Sequence, residues 1–202
     1  MQDQCATLER AFYLQEDVVS VARQLIGKVL ITNFDGVRTA GIITETEAYA
    51  GVHDRASHAF GGKRTPRNEP MYARGGTIYV FRCYGIHHLF NVVTNSVDLP
   101  HAVLIRAVHP VLGIAEMTAR RAPMPCTTRG PGTMSQALGI RTEHTGGDLL
   151  HGPISICDTG LVLPEGSITV GPRIGVNYAG TDAQLPYRFH IAPSRLEKHL
   201  RT

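Results

Sequence analysis

Apolar positions change period twice within the first fifty residues. Val18, Val21, Leu25 and Ile26 share one side of a 3.6-residue repeat, which predicts a short helix capped by Asp17 and stopped by Gly27. From Val29 the period shortens to two. A strand is expected to Asn33, a turn at Asp35-Gly36, and a returning strand from Val37 to Tyr49. Gly61 to Asn68 is loop by its glycines and proline, Thr77 to Tyr84 is a strand, Gly85 a tight turn, and Ile86 to Thr94 pairs back. Ala102 to Val108 is a further strand, Gly113 to Arg121 a helix, 122–132 a Pro/Gly-rich loop, and Thr133 to Leu138 a short helix ended by Gly139. Beyond it, glycine or proline every few residues predicts short strands and turns. The expected fold is α+β, a mixed domain with a curved, largely antiparallel sheet and a protruding hairpin.

With 202 residues and 43% apolar content, the chain can build a real core as a single domain spanning 1–202. No run of eighteen apolar residues predicts a membrane span, and the polar start MQDQCATLER lacks the apolar segment of a secretory signal, so a cytoplasmic protein is expected. Four separated cysteines form no CxxC pair, which argues against structural zinc and for free thiols in a reducing compartment. Net charge is +3, but unevenly spread: residues 1–47 hold four basic and seven acidic side chains, residues 53–84 six and two, and residues 106–129 and 188–201 four and one each. Such clustering suits one face turned to a polyanion, although ordinary solvated arginines give the same count.

The chemistry concentrates between residues 43 and 95. Glu45 and Glu47 stand two apart on a strand, roughly 6.5–7 Å at Cα, close enough to shift each other's pKa. A carboxylate held near a sugar can activate water; a solvated strand face has the same pattern. His58 sits in a loop with Asp54 and Arg55, where a lone histidine is commonly a surface residue, and no histidines have metal-site spacing. Tyr79, Phe81 and Cys83 share one strand face, suited either to burial or to holding a cationic purine. Tyr84, at a hairpin tip beside Gly85, is placed to enter a base stack. Asn91 can read a base edge or cap a bulge. Arg106 interrupts the apolar run AVLIRAV and needs a partner; Glu47 is the natural one, in a contact that favours its ionised form.

Together ETEAY at 45–49, the His58 loop with GGKRTPRN at 61–68, GTIYVFRCYG at 76–85, Asn91, Arg106, RGPGTMSQALGI at 129–140 and RIGV at 173–176 resemble the alkyladenine (3-methyladenine) DNA glycosylase family, over residues 12 to 192. The resemblance implies excision of damaged purines flipped out of double-stranded DNA from the minor groove, by a monomer, with no metal or cofactor and no membrane partner. It makes Glu47 the base that activates water, with Arg106 and the Val176 carbonyl holding that water. Tyr49, His58 and Phe81 become pocket walls, the histidine position bonding the base through its main chain. Asn91 crowds the 2-amino group of guanine, and Tyr84 fills the vacated stack. Lys63, Arg64, Thr65, Arg67 and Met71 are implied DNA contacts. Phe81 departs from the tyrosine common there, which removes a hydroxyl. No lysine stands in the motif strands, so water is the expected nucleophile and an abasic site the product. Two rivals remain: a DNA-damage binder without catalysis, and a hydrolase of small glycosides using the Glu45/Glu47 pair.

Overall fold

A computed structural model describes residues 5–200. The first four residues and the last two, which belong to the polar start and the last basic cluster, lie outside the described residues.

The long central pair of the sheet is formed by β3 (Val37–Tyr49) and β6 (His101–Leu112), and a single sheet extends from it in both directions. On one side β3 pairs with β2 (Val29–Phe34), then β7 (Ile154–Asp158) and the two-residue β1 (Ala6–Thr7). On the other side β6 pairs with β5 (His87–Thr94) and β4 (Ile78–Cys83). A short pair, β8 (Thr169–Gly171) and β9 (Arg188–His190), joins β3 through β9. Every pairing is antiparallel, and the fold is α+β as expected.

The helical segments are α1 (Arg10–Tyr13), α2 (Val18–Gln24), α3 (Ile114–Arg121), α4 (Pro131–Leu138) and α5 (Pro193–Leu200). Asp17 caps α2 as predicted, accepting from the Val19 N–H at 2.9 Å, and Val18 and Val21 are buried. The central strand β6 is apolar through most of its length because α2 and α4 both pack on it, with Arg106 the one buried charge in it. Phe90, Leu30, Ile105, Met134 and Leu138 are among the residues closing this core; full burial of each such side chain contributes about 1.5–3 kcal/mol.

Two expectations fail. The stretch after residue 190 is not turns: α5 forms there, started by Pro193 and anchored by buried Leu196. With one apolar anchor and a leading proline its periodicity is too thin to detect. Nor are all four cysteines free. Cys5 is bonded to Cys157, because β1 lies against β7 and brings their Cα atoms to 5.5 Å; only Cys83 and Cys126 are free thiols. Sequence spacing of 152 residues hides a proximity that only strand pairing creates. Among the described residues no helix is long and apolar enough to cross a membrane.

A register shift on each side of Glu45, where β3 runs against β6, breaks simple alternation. Ile43 joins the main core, while Glu45 and Glu47 both reach Arg106.

Candidate active site

A cavity of about 610 Å³ opens between the β4–β5 hairpin, the end of β3 and the segment 174–178. Tyr49, His58, Phe81 and Asn91 line it, as do Arg67, Met71, Tyr84, Arg106 and Val176. Residues drawn from across the sequence thus meet around one space, large enough for a nucleobase.

Behind its wall lies Glu47, with 0% exposure. Oε1 accepts the Ile174 N–H at 2.7 Å. Oε2 accepts the Tyr49 hydroxyl at 2.9 Å and pairs with Arg106 Nη1 at 3.2 Å. A carboxylate has about four lone-pair sites, so these two hydrogen bonds and the Arg106 ion pair leave it room to accept a further donor. Burial pushes this carboxyl above its ordinary range; the Arg106 charge, the Ile174 N–H and the Tyr49 hydroxyl oppose the rise, and Glu45 adds to it. The phenol of Tyr49 is held protonated by its own burial and by the Glu47 charge.

Arg106 finds its expected partner and a second one. Its Nε donates to Glu45 Oε1 at 2.9 Å, and the same oxygen accepts from Arg188 Nε at 2.7 Å. Burial pushes the Glu45 carboxyl up, yet the Arg188 bond and the two arginine charges outweigh it and hold it below the usual range. Glu45 and Glu47 therefore sit in unlike environments, one bracketed by two arginines and the other sealed behind the cavity wall.

The aromatic wall is built on β4. Phe81 meets the His58 ring edge-on at 4.6 Å, and His58 Nδ1 lies 2.9 Å from the Tyr79 hydroxyl. Burial, with the charges of Arg67 and Lys63, lowers His58 to a pKa of about 4, so its imidazole is neutral at physiological pH. The His58 carbonyl accepts Asn68 Nδ2 at 2.9 Å; among the described residues its main-chain N–H has no partner. Asn91 Nδ2 is committed to the Tyr79 and Leu89 carbonyls, at 3.1 and 3.0 Å, so the amide presents its oxygen as the uncommitted end. The Val176 carbonyl accepts the Ala179 N–H at 2.9 Å and keeps a second lone pair.

Tyr84 stands at the hairpin tip, 91% exposed. The turn closes by Ile86 N–H to Cys83 O at 3.2 Å, with Tyr84 and Gly85 both left-handed at φ +50° and +73°. That geometry favours Asn-Gly; a bulky aromatic there costs about 1 kcal/mol. Strain retained at an exposed tip points to use rather than to turn formation. Ile86, 73% exposed beside it, was not singled out from the sequence.

The loop residues divide. Arg67 stacks on Phe81, 5.4 Å from guanidinium to ring, and donates to the Arg82 carbonyl. Met71 is 2% exposed, packed with Tyr72 and Tyr79 in the cavity wall, which leaves little of it for a duplex to touch. Arg64 is already paired with Glu69 and Asp98, both at 2.6 Å. Thr65 bonds Asn68 Oδ1 through its N–H and its hydroxyl, and Lys63 is exposed, its carbonyl taken by Asn68 and Tyr72.

Two supports were invisible in the sequence. Arg173 and Asp54 form a wholly buried bidentate pair, and Arg173 also donates to the carbonyls of Ala48 and Asp182 and lies over the Tyr49 ring at 4.9 Å. It precedes Ile174, whose N–H holds Glu47. Unlike Arg106, Arg173 sits among Pro172 and glycines, where a charge looks solvated. Among the described residues no three His, Cys, Asp or Glu side chains gather closely enough to hold a metal ion.

The family model for "Methylpurine-DNA glycosylase (MPG)" matches residues 11–195. Proteins named "Putative 3-methyladenine DNA glycosylase" are similar along most of the chain. One from Chlamydia abortus is 47% identical over 186 residues, covering 90% of this chain and 96% of its own. One from Myxococcus xanthus is 43% identical over 188 residues, covering 93% and 91%. One from Bacillus thuringiensis is 40% identical over 192 residues, covering 89% and 93%. The chain belongs to the methylpurine-DNA glycosylase family, hydrolases of DNA base-excision repair.

Proposed function

We propose that this protein is a monofunctional purine DNA glycosylase that works as one domain and one copy, on duplex DNA entered from the minor groove, in the cytoplasm at the nucleoid. The damaged purine turns out of the stack into the cavity between Tyr49, His58 and Phe81, and Tyr84 fills the gap. Unstacking costs a few kcal/mol, least for a damaged base; an aromatic filling the gap offsets part of that cost. Water, held by Glu47, Arg106 and the second lone pair of the Val176 carbonyl, attacks C1′. Its oxygen bonds to the sugar as the N-glycosidic bond breaks, the bonding pair leaves with the purine nitrogen, and Glu47 takes the proton.

The observation that carries this reading is the setting of Glu47: fully buried, with one hydrogen bond on each oxygen and the Arg106 cation beside it, immediately behind the wall of an aromatic cavity. A DNA-damage binder has no use for a buried carboxylate placed there. An alkylated purine is cationic and leaves as a neutral base without an acid. The aromatic wall attracts that cation, and neutral His58 does not repel it. Asn91, presenting its amide oxygen, and the free His58 N–H are the groups proposed to test the edges of the base. Lys63, Arg67 and Arg129 are exposed cations, the last two at the cavity, suited to phosphates.

The test is incubation with duplexes carrying 3-methyladenine, 7-methylguanine, hypoxanthine or ethenoadenine, followed by alkali. Base release with strand breaks appearing only after alkali is expected, strongest for the cationic lesions. No release from any duplex sinks the reading, and breaks without alkali sink the monofunctional part of it.

A further inference from the structure

Glu45 has no place in the mechanism above, yet it is a half-buried carboxylate bonded to two arginines. Its Oε1 receives Arg106 Nε and Arg188 Nε, at 2.9 and 2.7 Å. Arg106 therefore spans both acids of β3, Nε on Glu45 and Nη1 on Glu47. Arg188 lies on β9 directly opposite Glu47 in the strand register, but its Nε turns to Glu45. The four charges form a chain, Arg188–Glu45–Arg106–Glu47, that sums to zero.

From these contacts we propose that Glu45 and Arg188 are positioning residues: Glu45 aims the Arg106 guanidinium at Glu47, and Arg188 cancels the charge that Glu45 would otherwise add beside it. The proposal rests on Glu47 as the base. Without Glu45, Arg106 loses the acceptor that fixes its Nε, and the cluster carries an excess positive charge. Without Arg188, two carboxylates share one arginine, and the second repels charge on the first. The two residues should therefore move Glu47 in opposite directions although neither side chain bonds its carboxylate.

The other groups around Glu47 do not disturb this balance. Tyr49 from β3 is a neutral donor, and Ile174 offers an N–H. Arg173 is matched by Asp54 from the turn after β3. Tyr178, in the 177–184 segment, bonds the Ala56 carbonyl. His190, beside Arg188 on β9, is held below its usual range by burial and by Arg188, so it is neutral above pH 7.

The direct test is a carbon-13 NMR titration of the Glu47 side-chain carboxyl in the free protein, its signal assigned by its loss in Glu47→Gln. Glu45→Gln keeps the acceptor for Arg106 and removes the charge; the Glu47 midpoint should fall by roughly one unit. Arg188→Gln should raise it by a similar amount. The double variant restores neutrality and should return the midpoint to that of the wild type, and Arg188→Lys should leave it there. Shifts of the same sign, or none, overturn the proposal; if Arg188→Gln does not fold, the Glu45→Gln shift and its reversal in the double variant decide. In single-turnover base release the acid limb of the pH profile should follow the same order. Because the titration needs no substrate, a protein that shows these shifts but releases no base defeats the glycosylase reading and supports the charge coupling. An active protein with a flat titration does the reverse.

Discussion

The floor of the cavity and the tip of its hairpin are built on opposite plans. Around Glu47 the charged groups are mostly shielded from solvent and bonded more than once: Arg173 alone serves Asp54, Ala48 and Asp182, and Arg106 serves both acids. At the tip, Tyr84 and Ile86 project into solvent on a turn that its own residues disfavour. The floor spends desolvation to hold charges in one geometry, as preorganised chemistry demands. The tip stays exposed and strained, as the proposed entry of Tyr84 into a base stack requires. Substitutions on the floor should therefore act on chemistry and stability, and those at the tip on DNA engagement alone.

The sharpest way to break that contrast is Glu47→Gln. It keeps the size of the side chain and most of its donors but removes the base. Single-turnover base release should fall by about 10²–10⁴-fold, while binding to a lesion duplex, read by gel shift, stays unchanged. An active Glu47→Gln protein would remove the carboxylate from the mechanism.

Next in size is Arg173→Met. It leaves Asp54 buried without its cation, and breaking one side of a buried pair costs about 3–5 kcal/mol. In a chain of this length the melting temperature should drop on the order of 10 °C, and base release should fall too, as Ile174 loses its anchor beside Glu47. A melting temperature unchanged in calorimetry would mean that the pair is not the strut its burial implies.

Tyr84→Asn reverses the pattern. Asparagine suits the left-handed turn, so stability should hold or rise by up to about 1 kcal/mol. Stacking of an aromatic on bases contributes about 1–3 kcal/mol, so base release under limiting enzyme should fall by roughly 10–100-fold. Lost stability with full activity would identify Tyr84 as a structural residue.

The same contrast explains what the sequence made legible. Strand β3 was readable to its last residue because its strand-forming residues and the Asp35-Gly36 turn are local signals, and the hairpin tip because Tyr-Gly punctuates it. Arg106 announced a partner by interrupting an apolar run, but whether that partner was Glu45 or Glu47 depended on register shifts in β3 that no pattern records. Arg173 and Asp54 stayed hidden because each sits in a polar, glycine-bearing stretch where a charge raises no question. Their burial is created by chain segments about 120 residues apart. The disulfide and α5 were missed for the same reason: pairing of β1 with β7, and packing of one leucine, are tertiary facts.

The smallest effect separates two arginines that are three residues apart and equally basic in sequence. Arg64 is exposed but lies between Glu69 and Asp98, over the Tyr72 ring at 4.4 Å. Those carboxylates already neutralise it, and a phosphate would have to displace them. Arg67 has no carboxylate partner among the described residues; it donates to the Arg82 carbonyl and lies over Phe81 at the cavity mouth. A phosphate contact releases counterions, so each one adds about 0.9 to the slope of log K against log salt. Arg67→Ala should lower that slope by about one. Arg64→Ala should leave it unchanged and instead free Glu69 and Asp98 to repel the duplex, weakening binding slightly at low salt only. Equal slopes lost from both would mean that DNA opens the Arg64 cluster on docking, and that the loop belongs with the adaptable tip rather than with the fixed floor.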